Sequence, residues 1–258
     1  TRSGCDWSSD VCSSDLKGSK RWIDLFFLPR FQPIEVLKPF LIIILATILC
    51  DIKSNILFKY LISIFLISFI SLLLIAQPDI GQTLLVIFCW AVLIFTSGIN
   101  IYILLAIFIA GASLLTYLII YVPRFDYIQG RIFSFFNRET GTHNFQSDKA
   151  IESITSGGFF GKGIGEGVLK NRVPEAHTDY IISVISEEFG VVAIMLILLL
   201  FLILIYMVFK KISFETNDKV KLILIGSISL ILMQATIHVG VNIRLFPTTG
   251  MTLPFLSY

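Results

Sequence analysis

Long apolar runs separated by short polar links set the hydropathy pattern of the chain. Four stretches contain no Asp, Glu, Lys or Arg: 19 residues at 60–78, 44 at 80–123, 21 at 189–209 and 22 at 222–243. A helix needs about 20 apolar residues to cross a hydrocarbon core ~30 Å thick. A transmembrane β-barrel is excluded because its strands alternate in polarity over ~10 residues. The pattern predicts an all-α, polytopic membrane helix bundle.

Six segments are long enough to form complete transmembrane helices, and the start of a seventh is expected near residue 249. The six run at about 34–50, 56–75, 80–97, 101–121, 180–209 and 220–240. The 44-residue run must hold two of them, because one helix of that length would be about 66 Å long. The short links at 51–55, 97–100 and 210–219 predict antiparallel neighbours.

The connection at about 122–179 is one long polar loop. It holds seven Lys or Arg and seven Asp or Glu, whereas lysines flank the links at 51–55 and 210–219. Positively charged links face the cytoplasm, which predicts that the long loop is extracytoplasmic. Its phenylalanines favour a loop that folds onto the membrane surface. Six glycines lie between Gly157 and Gly167; their amides suit a phosphate, although no Walker-type Gly-Lys-Ser/Thr follows.

Composition agrees with a membrane chain and narrows the candidate chemistry. Of 258 residues, 55% are hydrophobic and 15% charged, against roughly 45–50% and 25% in soluble domains. The net charge of +2 gives no indication of a nucleic-acid partner, and none is expected. The four cysteines form no Cys-x-x-Cys or Cys/His cluster, so no metal site is expected from them.

The first 16 residues differ in character from the rest. Residues 7–11 and 12–16 are near-duplicates without helical or strand periodicity, and they resemble a translated sequencing adapter. We expect residues 1–16 to be non-native and 17–258 to be a partial transmembrane domain, cut at both ends from a longer protein.

Polar side chains collect at one predicted end of the bundle. Counting turns from the links places the following at the outer end: Glu35, Lys38, Asp79, Asp179, His238, Asn242 and Arg244. Ionisable residues at membrane depth mark functional sites by default. For three of these residues a purely structural role is an open alternative to a functional one. Glu35 and Lys38 have the spacing of an ordinary helical ion pair. Asp79 has the position of a helix cap, and His238 that of a buried core histidine.

Asp179 heads a stripe of small and polar residues on the helix that follows it. Ser183, Ser186 and Gly190 fall near its face at the i+4, i+7 and i+11 positions. The stripe fits either close helix packing or a groove for a ligand with a polar head and an apolar tail.

Five short motifs follow one another along the chain in an order that is typical of one protein family. They are 18–25 with 32–38, then 77–83, 157–165, 174–181 and 247–258. Together they resemble the FtsW/RodA (SEDS) family over 18–258. The Pro-Glu-Ala-His-Thr-Asp form at 174–179 looks more like the division branch of that family than the elongation branch. Ile34 departs from the pattern, because the family usually has a small residue there.

The resemblance implies a ten-helix protein of the bacterial inner membrane. It implies a glycosyltransferase that polymerises lipid II into peptidoglycan strands for cell division and the cell wall. The implied partners are lipid II, a class B penicillin-binding protein, other divisome proteins and membrane lipids. No cofactor follows with certainty, and a divalent cation stays open.

The resemblance and the residue pattern both select Asp179 as the general base. Residues expected to bind the lipid diphosphate or to support the site are Glu35, Lys38, Arg131, Asp79, His177 and Thr178. Two other functions stay open: a lipid II flippase and a non-catalytic divisome scaffold. A transporter site is expected near the midplane between repeats. Because the polar residues collect at one end and no internal repeat is seen, the pattern favours the enzyme.

Overall fold

The computed structural model describes residues 32–51, 55–77, 79–121, 130, 142–168 and 179–256. We number the helices in chain order: α1 Pro33–Cys50, α2 Ile56–Ala76, α3 Ile80–Thr96, α4 Ile101–Tyr121, α5 Thr142–Gly157, α6 Ile181–Phe214 and α7 Asp218–Asn242. The described residues contain no strand. The all-α prediction is therefore confirmed, and the six apolar helices lie close to their predicted positions. The adapter-like residues 1–16 lie outside the described residues.

Four of the described helices are long and apolar enough to cross a membrane: Pro33–Cys50, Leu57–Ala76, Ile181–Phe214 and Asp218–Asn242. Two shorter apolar stretches are Ile80–Thr96, which is α3, and Ile101–Leu114 within α4. Large apolar side chains of the outer helices are widely exposed, as for Leu57 at 78% and Phe65 at 75%. Such surfaces suit lipid, so the chain is a multi-pass membrane protein.

The interior of the bundle lies where α1, α3 and α7 meet, with α2 against α1 and α3. Leu45, Val86 and Leu93 are almost fully buried there. Gly226 on α7 lets that helix approach closely, because a Cβ at this position would lie 2.7 Å from Ile42 Cγ2. The three helices thereby bring their polar residues into contact at one end of the bundle.

The short links gather at the opposite end, as predicted. A single cleft of about 830 Å³ is lined by residues from all three links and their flanks, including Asp51, Lys59, Ser97, Asn217 and Lys221. The antiparallel arrangement of the bundle is therefore confirmed. The side of the membrane that this end faces stays a prediction.

Part of the long loop is a helix that the hydropathy pattern missed. α5 packs against α6 and α7. Its buried face carries small residues, Ser147, Ala150, Ser153 and Gly157. A Cβ on Gly157 would lie 2.0 Å from the Ser186 carbonyl oxygen, so α5 lies directly against α6. An ion pair between Arg244 and Asp148 joins it to the end of α7.

α6 is two helical pieces joined at Gly190. That residue has φ 79° and ψ −177°, which breaks the 34-residue helix. A Cβ on Gly190 would lie 2.2 Å from the Phe159 carbonyl oxygen. Glycine is required there because the backbone conformation is left-handed and the turn after α5 fills the adjacent space.

The expected start of a seventh helix near residue 249 is wrong over the described residues. Residues 249–253 have no regular secondary structure and 254–256 form a turn, with Met251 and Leu253 buried. Pro254 has no N–H to continue a helical ladder. The carbonyls of Met251 and Thr252 accept hydrogen bonds from α7 side chains instead.

Candidate functional site

Glu35 and Lys38 form an ion pair in the first two turns of α1. Lys38 Nζ lies 2.6 Å from Glu35 Oε1 and donates a second hydrogen bond, 3.2 Å long, to Gln234 Oε1 on α7. The lysine side chain is 1% exposed and the glutamate side chain 36%. The exposed member of the pair is thus the carboxylate. Because the Lys38 ammonium lies beneath Glu35, the arrangement favours support of the site over direct diphosphate contact among the two roles predicted for Lys38.

The start of α3 completes this cluster. Asp79 is the N-cap of α3, and its side chain accepts a hydrogen bond of 3.3 Å from the Gln82 amide N–H. Gln82 Nε2 donates to Glu35 Oε1 at 3.0 Å. Asp79 is 4% exposed and interacts electrostatically with Lys38. The helix-cap interpretation of Asp79 is confirmed, and its carboxylate also belongs to the charged cluster.

One face of α7 carries a row of buried polar side chains at the i, i+4 and i+8 positions: Gln234, His238 and Asn242. Gln234 binds Lys38 and donates to the Thr252 carbonyl at 3.0 Å. His238 Nδ1 lies 2.8 Å from the Met251 carbonyl oxygen. The predicted buried histidine is thus confirmed. The row extends about 12 Å along the helix.

Asn242 fastens the start of α6 to α7. Its Oδ1 accepts bonds from the Ser183 hydroxyl at 2.6 Å and the Ser183 amide at 3.3 Å. Its Nδ2 donates to the Asp179 carbonyl at 3.1 Å and to the His238 carbonyl at 2.8 Å. The Ser183 N–H can only donate, so the atom facing it must be the amide oxygen.

Asp179 lies in the turn directly before α6. Tyr180 is the N-cap residue and the helix begins at Ile181, so Asp179 lies at the end of the loop, one residue before the cap. Asp179 is half-buried, and its carbonyl is held by Asn242. Gln234 and Asn242 on α7 contact the Glu35–Lys38 cluster and the Asp179 turn, respectively. Both features therefore lie at the same end of the bundle.

The small-residue stripe below Asp179 is a packing surface. Ser183 and Ser186 are fully buried, and α5 with the turn after it covers Ser186 and Gly190. The stripe is therefore not a ligand groove. An apolar groove of about 500 Å³ lies elsewhere, between α6 and α7, with Ile182, Phe201, Ala235, Val239 and Leu253 in its lining.

Central amides of the glycine-rich turn after α5 bind protein carbonyls instead of facing a phosphate. The N–H groups of Gly161, Lys162 and Gly163 donate to the carbonyls of Gly157, Glu187 and Glu188 at 2.8, 2.9 and 3.1 Å. In return, the Val191 N–H donates to the Gly158 carbonyl at 3.0 Å. The turn thus satisfies backbone groups freed by the break at Gly190.

Sequence reasoning missed three polar contributors. Gln82 and Gln234 are uncharged, so a search for ionisable residues passes over them although both bind the Glu35–Lys38 pair. Glu187 is buried on α6 and binds Lys162 Nζ at 2.9 Å and the Ser153 hydroxyl at 3.2 Å. The signal that could have identified Glu187 is a carboxylate directly beside the predicted small-residue stripe of that helix.

Three predicted site residues, Arg131, His177 and Thr178, lie outside the described residues. Within the described ranges, no group of three or more His, Cys, Asp or Glu side chains is placed to hold a metal ion. The described part of the site is therefore the Glu35–Lys38 cluster, the α7 row and the Asp179 turn.

Known proteins resemble this chain in sequence. The profile of the FtsW/RodA/SpoVE family, described as cell cycle proteins, matches residues 8–258. A relative from Caulobacter vibrioides is 34% identical, covering 94% of this chain and 61% of the relative. One from Francisella salina is 35% identical, covering 94% and 62%. Both are named as a probable peptidoglycan glycosyltransferase FtsW. The chain spans about three fifths of their length.

Solved structures resemble the fold. A chain from a study of how a peptidoglycan synthase complex coordinates polymerization and crosslinking superposes with a TM-score of 0.77 at 26% identity. The matched region covers 96% of this chain and 70% of the neighbour's chain. The rod shape determining protein RodA of Thermus thermophilus gives a TM-score of 0.63 at 26% identity, covering 96% and 65%. The helical bundle, its polar end and these matches agree, and the chain belongs to the FtsW/RodA/SpoVE family.

Proposed function

We propose that the protein is a peptidoglycan glycosyltransferase of the bacterial inner membrane that polymerises lipid II during cell division. The observation that carries the proposal is the row on α7, which joins the Glu35–Lys38 cluster to the Asp179 turn at one end of the bundle. The matched relatives named FtsW support the division branch. Their names also support the glycosyltransferase reaction.

Asp179 is the proposed general base. Joining two sugars by displacing a diphosphate requires an activated hydroxyl on the acceptor, and a carboxylate near the lipid head groups can take that proton. Asp179 is half-buried in a turn whose backbone is fixed by Asn242. A fixed base holds the acceptor proton in reach without reorganising during the reaction.

We propose that the Glu35–Lys38 cluster supports the site through its exposed carboxylate. Lys38 and Gln82 both bind Glu35 Oε1, which fixes the orientation of the carboxylate. Lys38 then acts as a positioning residue that holds the Glu35 carboxylate in place. Arg131, His177 and Thr178 stay proposed contributors to diphosphate binding or to support of the site.

The apolar groove between α6 and α7 is a proposed binding site for part of a prenyl tail. It begins at Ile182, three residues after Asp179, and its described lining is almost entirely hydrophobic. A substrate with a diphosphate head and an apolar tail could therefore lie across both features. The proposed partner is a class B penicillin-binding protein, in keeping with the synthase complex named for one structural neighbour.

The test is polymerisation by the full-length protein, reconstituted with its penicillin-binding partner and supplied with fluorescent lipid II. Glycan strands separated on a gel are expected. Lipid II translocation across the bilayer is measured in parallel. Translocation without polymer from a folded, partner-bound protein would contradict the proposal and favour a transporter. Neither product nor translocation would favour a scaffold.

A further inference from the structure

The turn that follows α5 presents apolar side chains outward. Phe159, Phe160 and Ile164 are 75%, 87% and 81% exposed. Backbone hydrogen bonds to α6 next to the break at Gly190 hold the turn in a defined position. The large side chains of the turn face away from the protein. The site proposed above uses none of these side chains.

The depth of the turn in the membrane follows from α6. The second piece of α6 has 19 residues from Val191 to Phe209 before Lys210 introduces the first charge. At 1.5 Å per residue they cover about 28 Å, close to the ~30 Å of a hydrocarbon core. With Lys210 at one boundary, Val191 lies at the other.

The turn is fastened to α6 at that level. The Val191 N–H donates to the Gly158 carbonyl at 3.0 Å and the Val192 N–H to the Phe159 carbonyl at 3.4 Å. Phe159 therefore shares the membrane depth of Val192. The exposed apolar surface of the turn also adjoins lipid-facing side chains of α6, namely Val192 at 52% and Met195 at 62% exposed.

We propose that the turn 158–164 is an interfacial anchor whose side chains enter the bilayer at the boundary between head groups and acyl chains. The occupant of this surface is lipid. Its charge pattern agrees, because Lys162, the one charged residue within 158–164, is paired with Glu187. Aromatic side chains favour this depth. The anchor would fix the height of the loop over the membrane, and it does not depend on the proposed enzyme activity.

A tryptophan at position 160 reports this depth directly. Full-length Phe160→Trp protein is placed in phosphatidylcholine nanodiscs that carry bromine either near the top or near the end of the acyl chains. Its fluorescence is read against the unsubstituted protein, because the sequence already contains tryptophans, Trp90 among them. Leu199→Trp is the control for a deep position, since Leu199 is 55% exposed and lies about 12 Å further along α6 than Val191.

For Phe160→Trp, quenching by shallow bromines is expected to exceed quenching by deep bromines, and the order is expected to reverse for Leu199→Trp. Phe159→Trp should behave as Phe160→Trp does. Red-shifted emission without quenching would place the turn in water and overturn the proposal. Blue-shifted emission without quenching would overturn it too, because protein would then cover the turn. Quenching mainly by deep bromines would contradict the boundary depth.

Discussion

Gln234 and Asn242 lie two helical turns apart on the same face of α7, and each holds a different part of the candidate site. Gln234 accepts a hydrogen bond from the buried Lys38 ammonium, and Asn242 donates one to the backbone carbonyl of Asp179. Because one rigid helix carries both contacts, the Glu35–Lys38 pair and the Asp179 turn keep a fixed spacing.

Replacing Asn242 by alanine should loosen the Asp179 turn. The change removes the bonds to Ser183 and to the Asp179 carbonyl and leaves buried polar groups unsatisfied, which costs about 1–3 kcal/mol. We expect a lower unfolding temperature in detergent and slower polymerisation. Ser183→Ala is the matched control, because it removes the hydroxyl bond and leaves the bond to Asp179 in place. Equal losses of activity in the two variants would contradict a positioning role for Asn242.

The Glu35–Lys38 pair should respond unequally to loss of either partner. Glu35→Gln removes the ion-pair partner of a buried ammonium and leaves Asp79 as its remaining negative neighbour. The loss should therefore stay below the about 3–5 kcal/mol for breaking a fully buried pair. Lys38→Met leaves a carboxylate that is 36% exposed, so its effect on unfolding should be smaller. The double variant should lose less than the sum of the single losses, in both unfolding free energy and polymerisation rate.

An exposed pair at the opposite end of the bundle supplies the control for that experiment. Lys221 lies 3.3 Å from Asp218, which is 85% exposed, and exposed pairs contribute about 0–1 kcal/mol. Lys221→Met should therefore change neither unfolding nor polymerisation appreciably. Additive losses at Glu35 and Lys38 would show that the two residues act independently.

Gly190 should not tolerate alanine. A methyl group would meet the Phe159 carbonyl oxygen at 2.2 Å in a backbone with φ 79°, so both the kink and the turn after α5 must shift. We expect a large fall in folded yield, judged by size-exclusion chromatography. Gly98→Ala has a left-handed φ in open space and should show only the strain of about 1–2 kcal/mol. If the two variants fold equally well, close packing at Gly190 is not the cause.

The apolar helices could be predicted from the sequence because a membrane imposes a length and a hydropathy that short polar links interrupt. The polar end of the bundle was also predictable, since alternating links fix which helix ends meet. Asp79 as a cap and His238 as a buried histidine followed from local position alone.

The remaining features depend on tertiary contacts. α5 is polar overall, and only the spacing of Ser147, Ala150 and Gly157 marks its buried face. The break at Gly190 arises from its neighbours, because a glycine alone does not end a helix. Residues 249–256 look like the start of a span by hydropathy, yet they are not helical, and α7 side chains bind the carbonyls of Met251 and Thr252. The residue pattern also could not predict that Glu35 is the exposed member of the Glu35–Lys38 pair.

The most direct test of the central claim is the polymerisation rate of Asp179→Asn in the full-length protein bound to its penicillin-binding partner. Asparagine keeps the size of the side chain and removes its basicity, and general-base catalysis contributes typically ~10²–10⁴-fold. Asp148→Asn is the matched control, because Asp148 is an exposed carboxylate at the same end of the bundle. The account predicts a loss of at least about 10²-fold for Asp179→Asn and a near-normal rate for Asp148→Asn. A folded, partner-bound Asp179→Asn protein that polymerises lipid II at the wild-type rate would contradict it.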